Sequence, residues 1–341
     1  MKTKTTQTTL LLAFHFQMFA TDITANMTKI TAEGMTAENK VMYFRNLLQN
    51  ADEQDVFSPY GMVEHSTHGL NVEWRRPNTF APAMEPLEEG VIPPGEVFGI
   101  STVTGKMTQH GSYTPISDVL EMAGFDNNIW LATTEMGRAM GKTRALLTRN
   151  GMMTGTNVFY APKSDGTEVT VEDDLDETCV LTPDLINSIR TAFVEQNVPK
   201  INGYWLFIAH PHALEDLRNS DEWKEYHKYN DVQKIFKGEM GELHGFKFIE
   251  SPMIKIAKAS EDAPAVYKNL AFGADAYGIP ELEGAGAELI IHEKNEIGGP
   301  IDQFSTVGYK LMHNTTVLYQ ERLMRVETCS AKHSMKATVN L

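Results

Sequence analysis

The sequence predicts an α+β fold, on three observations. A helical pattern runs from Asn128 to Asn150, longer than the usual globular helix. A proline-rich segment from Pro77 to Pro94 is flanked by strand-like sequence and keeps its apolar residues. A continuous apolar run, "YWLFIA" at 204–209, reads as a strand buried on both faces, with a helix after it. At 341 residues the chain exceeds the usual size of one hydrophobic core, so it divides into two domains or carries large excursions.

Taken in order, the first element is ambiguous. Lys2 and Lys4 precede "LLLAFHFQMFA", which has the charged and apolar regions of a secretory signal. His15 and Gln17 interrupt it, Met18-Phe19-Ala20 is a poor cleavage site, and the run is too short to span a bilayer. A flexible arm, or initiation near Met18 or Met27, is the preferred reading. Within "TAENKVMYFRNLLQNA", Val41, Phe44, Leu47 and Leu48 form a helical stripe that needs a surface elsewhere to bury it.

The segment "PNTFAPAMEPLEEGVIPP" carries prolines at 77, 82, 86, 93 and 94, which rules out an interior strand or helix. Phe80, Met84, Leu87, Val91 and Ile92 make it too apolar for a disordered linker. The reading is a long two-stranded excursion with an extended tip, whose apolar residues pack on a neighbouring subunit. A lid over a pocket in the same chain is the alternative.

In the long helix Ile129, Ala132, Met136, Ala139, Met140, Thr143 and Leu147 line one face, and Glu135, Arg138, Lys142 and Arg149 another. Gly151 is expected as a left-handed C-terminal cap. Residues 158–177 suggest a hairpin turning at Asp165-Gly166, ending in the acidic run "EDDLDE". Thr182 caps and Pro183 opens a helix with Leu185, Ile189, Ala192 and Phe193 as its stripe. A compact mixed region extends from there to about residue 300, and "STVGYKLMHNTTVLYQERLMRVETC" reads as two strands around a short turn.

Chemistry is hard to find. In "AHPHALEDLR", His210 and His212 invite a zinc site with Asp216, His227 or His244 as third ligand. Pro211, however, suits the first turn of a helix, and Leu214 and Leu217 give its stripe, so a strand-to-helix corner with His210 near the cap explains the segment. "GRAMGKT" has three residues between its glycines where a phosphate loop needs four. "DDLDET" lacks the glycine of a calcium loop, and "GAGAE" lacks the third glycine of a dinucleotide fingerprint. No segment asks for a cofactor. The net charge of −15 argues against a sequence-independent nucleic-acid binder. Cys179 and Cys329, 150 positions apart, form no disulfide framework and read as buried thiols.

Seven segments together resemble the tailed-bacteriophage major capsid proteins of the Hong Kong-97-like fold, closest to the family of the N-four-like phages. They are "VEWRRPNTFAPAMEPLEEGVIPPG" (72–95), "YTPISDVLEMAGFDN" (113–127), "GRAMGKTRALLTRNGMMTGTNV" (137–158), "PKINGYWLFIAHPHALEDLR" (199–218), "IFKGEMGELHGFKFIES" (235–251), "FGADAYGIPEL" (272–282) and "STVGYKLMHNTTVLYQERLMRVE" (305–327). The first 26 or so residues and the last dozen depart from the pattern. The resemblance implies an N-terminal arm (1–66), a protruding loop (67–112), a peripheral domain with a spine helix (113–179), an axial domain (180–300), and closing strands of the peripheral domain with a tail (301–341). It implies a structural protein, not an enzyme, with no cofactor or metal and no membrane partner. Copies would form hexamers and pentamers of an icosahedral shell around double-stranded DNA bound without sequence specificity, assembled in the host cytoplasm, with room for scaffolding, decoration and portal proteins. The expected inter-subunit contacts are Arg75, Arg76, Phe80, Met84, Leu87 and Ile92 in the loop, and Phe44 and Leu48 in the arm. Some relatives cross-link Lys to Asn, but nothing around Lys106 or Asn295 selects them for that chemistry. The competing readings are a zinc-dependent hydrolase at His210 and His212, and a secreted binding protein carrying glycans at Asn26 and Asn314.

Overall fold

Strand β1 (Met62–Ser66) leads into an antiparallel ribbon, β2 (Asn71–Pro77) and β3 (Ile100–Lys106), in register from Asn71 opposite Lys106 to Pro77 opposite Ile100. The proline-rich segment is the connection at its far end, as the flanking strand patterns predict. This is a computed structural model, and it describes Arg45, Leu47 and residues 55–340, apart from 79, 85, 88, 91, 93–94, 124–127, 229–240, 262, 284–285, 294–295 and 297–300. At the ribbon's base the buried Met107 donates its N–H to the Leu70 carbonyl at 2.8 Å. There the chain turns into β4 (Thr108–Ser117), then helices α1 (Asp118–Ala123) and α2 (Asn128–Met152).

Helix α2 has 25 residues, about 37 Å at 1.5 Å per residue, and packs on β4 and on β13 (Phe304–His313). Its buried face differs from the apolar stripe. Thr133, Gly137, Met140, Gly141, Ala145, Thr148, Arg149 and Met152 are buried, so the face is rotated toward small and polar residues. Thr133 and Thr148 bury their hydroxyls because these bond the carbonyls of Ile129 and Arg144, at 2.8 and 3.0 Å. Arg149, read from the sequence as sharing a face with Glu135, Arg138 and Lys142, is 0% exposed. Its guanidinium donates to the Met253 carbonyl at 2.7 Å and to Asn150 Oδ1 at 2.8 Å. Gly151 is no left-handed cap: the helix continues through it, and a Cβ there would lie 2.6 Å from the Thr315 carbonyl oxygen. Glycine is required by close approach.

After α2 come β5 (Val158–Tyr160), α3 (Pro183–Glu195), β6 (Trp205–Ala209), α4 (Pro211–Asn219), α5 (Asp221–Lys228), β7 (Glu242–Leu243), β8 (Phe246–Glu250), β9 (Ile256–Ala257) and β10 (Val266–Phe272). Next are β11 (Tyr277–Leu282), β12 (Glu288–His292), β13, β14 (Thr316–Val317) and β15 (Leu323–Thr328). The hairpin expected at 158–177 does not form. The turn does, with Gly166 at φ 85° and Asp165 Oδ1 accepting from Thr167 N at 2.9 Å, but β5 pairs in parallel with β15 instead. Thr182 caps α3 as expected, its hydroxyl accepting from Leu185 N at 3.3 Å, with Pro183 in the first turn.

A seven-stranded sheet ordered β5-β15-β10-β6-β8-β7, with β9 on β10, forms the body. Strand β6 lies between antiparallel β10 and parallel β8, and all five of its residues are buried. Trp205, Phe207 and Ala209 face a core with α3 and α4, while Leu206 and Ile208 face a second core with Phe57, Phe272 and Tyr277. Burial on both faces is what the unbroken apolar run encodes. The closing segment is not a hairpin. β13 joins a sheet ordered β12-β13-β4 beneath α2, whereas β15 is an interior strand of the seven-stranded sheet and so ties the two regions together.

Leu47 of the arm stripe is buried against Met140, Tyr309 and Leu311 of its own chain. A polar network anchors the same junction. Asp55 accepts from Arg144 Nε and from the N–H groups of Phe57 and Ser58, at 3.2 and 3.1 Å for the last two. Thr148 Oγ1 sits 3.0 Å from Ser58 Oγ and 2.8 Å from His313 Nε2. Burial pulls the His313 pKa down to about 4, so the ring is neutral here.

Candidate subunit interface

The ribbon's two ends differ in how they are satisfied. At the base Val72 and Trp74 point inward, onto Met107 and Leu318. A Cβ on Gly105 or Gly278 would fall 2.7 Å from the Trp74 ring, so those glycines admit the indole. Arg76 is half-buried and belongs to this anchor: its guanidinium donates to the Leu318 carbonyl and lies 5.2 Å from the Tyr319 ring centre, with Arg322 at 3.8 Å from the same ring. Arg75, one step along, is exposed. Of the two arginines expected at a neighbour, Arg75 presents itself to solvent and Arg76 is engaged within the chain.

Beyond Pro77 the apolar side chains have little to cover them. Phe80 is 53% exposed, Met84 84%, Leu87 77% and Ile92 93%, with Val97, Phe98 and Ile100 also open. Phe80 and Phe98 pack on each other, ring centres 5.9 Å apart, across the roots of the tip. A lid closed over a pocket of its own chain would bury these side chains, and exposures of this size do not describe one. Phe44 and Leu48 lie outside the described residues. A second apolar surface escaped the sequence reading: Val119, Leu120 and Met122 of α1 and Leu131 of α2 are exposed, as are Tyr113 and Ile301. The run "SDVLEMA" carried the signal, since its apolar residues outnumber what one buried face of a six-residue helix takes.

The histidine corner is built as a fold element. His210 caps α4, its Nδ1 accepting from His212 N at 3.2 Å, and its own N–H donates to Asn269 Oδ1 at 3.0 Å. The ring stacks on Tyr267 at 4.7 Å, and burial, with the neighbouring histidines, lowers its pKa to about 4. His212 Nδ1 pairs with the Tyr267 hydroxyl at 2.8 Å, and its ring stacks on His333 at 4.2 Å. His333 Nε2 meets Glu215 at 2.8 Å, and Lys332 meets it at 2.9 Å; these hydrogen bonds bring the Glu215 pKa down to about 2. The Nδ1 atoms of His210 and His212, His333 Nε2 and both Glu215 carboxylate oxygens are engaged with protein partners, and no group of three or more His, Cys, Asp or Glu side chains placed to hold a metal occurs among the described residues. The Asn314 amide, a glycan acceptor in the secreted reading, donates to the Lys106 carbonyl at 2.6 Å. No helix among the described residues is long and apolar enough to cross a membrane.

No protein-family profile matches the chain, and no curated protein does. Solved structures do. The capsid asymmetric unit of cyanophage Pam1 is similar at 13% identity and TM-score 0.62, over 91% of this chain and 98% of that one. The capsid structure of cyanophage P-SCSP1u is similar at 13% identity and TM-score 0.61, over 89% and 93%. The capsid of Ralstonia phage GP4 is similar at 12% identity and TM-score 0.57, over 81% and 92%. At such identities the likeness is one of architecture, and the architecture is that of phage capsid chains: an α+β fold of the Hong Kong-97-like type.

Proposed function

We propose that this chain is the major capsid protein of a bacteriophage, self-assembling into an icosahedral shell around double-stranded DNA, and that its role is structural. The observation that carries the reading is the ribbon tip. A folded chain that leaves Phe80, Met84, Leu87 and Ile92 in water has an unmet burial requirement, and on a capsid fold a second copy meets it. A ring of copies needs a heterologous contact between two different patches. The tip and the α1 surface are two such patches, and Arg75 flanks the first. The acidic chain, at −15, suits a shell that contains DNA without holding it on the wall. Hexamers and pentamers, assembly in the host cytoplasm, and contacts to scaffolding, decoration and portal proteins belong to the same proposal, as do the arm residues Phe44 and Leu48.

The test is expression of the full chain alone, with size-exclusion chromatography and negative-stain electron microscopy of the soluble fraction. Closed shells or ring-shaped capsomers are expected. A monomer at all accessible concentrations, with or without added scaffold, would overturn the reading.

A further inference from the structure

We propose that Cys179 and Cys329 are a disulfide-forming pair, closed by exchange with a small-molecule disulfide, that ties the end of β15 to the segment before α3. They are the chain's two cysteines, 150 positions apart, and the fold sets them on adjacent backbones. The Cys329 N–H donates to the Cys179 carbonyl at 2.7 Å. A direct N–H to carbonyl bond sets the two backbones side by side at a spacing of roughly 4.5–5.5 Å, as between adjacent strands, compatible with the roughly 4.4–6.8 Å between α carbons that a disulfide bridges. Both side chains are fully buried in one core cluster. The Cys179 thiol donates to Asp176 Oδ1 at 3.4 Å and the Cys329 thiol is hydrogen-bonded to Ser334, both close in sequence to their cysteine, and neither sulfur is in a disulfide.

The surroundings explain why the pair stays reduced until it is exposed. Burial, and the thiolate charge of Cys179 beside it, push the Cys329 thiol up to about 12, and burial raises Cys179 as well. The irregular stretch before Thr182 carries Cys179, whereas Cys329 directly succeeds paired β15, so local opening at Cys179 is the route of attack. Its thiolate displaces one thiolate from the small disulfide and leaves a mixed disulfide. The Cys329 thiolate then attacks the protein sulfur and releases the second small thiolate. Two thiols are oxidised, one small disulfide is reduced to two thiols, and the two protons go to the leaving groups.

The bridge would close a loop between two positions 150 apart. Residues 330–340 follow that loop and are held independently of the bridge, by Ala331 N to Asp216, Lys332 and His333 to Glu215, Asn340 to the backbones of Ile254 and Ile256, the His333 ring on His212, and Ala337 against Ile256, Ala265 and Tyr267. A bridge closing so long a loop removes much unfolded-state freedom. In a shell, it would close on leaving a reducing cytoplasm; that timing rests on the capsid reading, while the chemistry does not.

The experiment uses the unsubstituted full chain, purified reduced and incubated folded with excess oxidised glutathione at pH 8, with mass measured on the denatured, non-reduced chain. Expected are a mass lower by two hydrogens, a linked peptide pair containing positions 179 and 329, and a Tm higher by about 5 °C, all reversed by reductant. Thiols that still alkylate once the chain is denatured, stable glutathione adducts, or links between chains would each overturn the pairing. Cys329→Ser, oxidised in parallel, is expected to show no loss of two hydrogens.

Discussion

The ribbon and the seven-stranded sheet carry the same kinds of apolar residue and place them oppositely. On β6, Phe207 and Ile208 are each covered by their own chain, one on either face. At the ribbon tip, Phe80 and Ile92 are covered by nothing of comparable extent. The difference separates two energies that a single core would merge. On the proposed reading the body holds the free energy of folding, and the tip would release its own only on association. A substitution should therefore cost one and spare the other, depending on where it falls.

The largest effect is expected from Phe207→Ala, which deletes a fully buried ring from the central strand. A loss of about 3–5 kcal/mol of folding stability should appear in chemical denaturation. A loss below about 1 kcal/mol would mean that the body is not the stabilising unit.

Acid sharpens the contrast next, because residues 71–106 contain no histidine while the rest of the chain buries two whose pKa is depressed to about 4, His210 after β6 and His313 on β13. A histidine with a folded pKa below its unfolded value of about 6.5 binds more protons when unfolded between those limits. Its stabilising contribution is complete above pH ~6.5 and is lost as pH falls toward 4, by up to about 3 kcal/mol per group. Denaturation midpoints should fall over that window, and His313→Gln should flatten the fall; an unchanged slope would place the acid sensitivity elsewhere.

Phe80→Ala should act the other way round. Folding stability should change by less than about 0.5 kcal/mol, as at an exposed site, while each interface that loses the anchor should weaken by about 2 kcal/mol or more. Shells at normal yield from this variant would remove Phe80 from the interface.

The smallest effect carries the most informative sign. Gly151→Ala should stabilise by helix propensity, by about 1 kcal/mol, if the glycine merely occupies the helix. The added Cβ would fall 2.6 Å from Thr315, which predicts destabilisation by about 1–3 kcal/mol instead, and thermal unfolding would distinguish the two.

Legibility in the sequence depended on range. The β6 run, the Thr182-Pro183 cap, the corner at His210-Pro211 and β2 are local patterns, and each stands where expected, whereas the strand-like sequence after the prolines divides into β3 of the ribbon and β4 of another sheet. The extent of α2 was legible apart from its last turn, but its buried face was not. Apolar periodicity is blind to a threonine whose hydroxyl bonds its own helix, and to Arg149, whose charge is met by the Met253 carbonyl about a hundred residues on. The turn at Asp165-Gly166 was legible and its hairpin was not, because β5 takes a distant partner, β15. The same non-local pairing sends β13 and β15 into different sheets and brings Cys179 beside Cys329. Of the candidate interface, the tip residues were readable as apolar sequence with no local place to go, while the engagement of Arg76 with Leu318 and Tyr319 was not.

The central claim, that a second copy covers the tip, is tested most directly by replacing Met84 with p-benzoylphenylalanine, irradiating assembled material and separating the products by mass. Covalent dimers and higher ladders, with the attachment mapped to another chain, are predicted. Products confined to single chains from confirmed assemblies would contradict it.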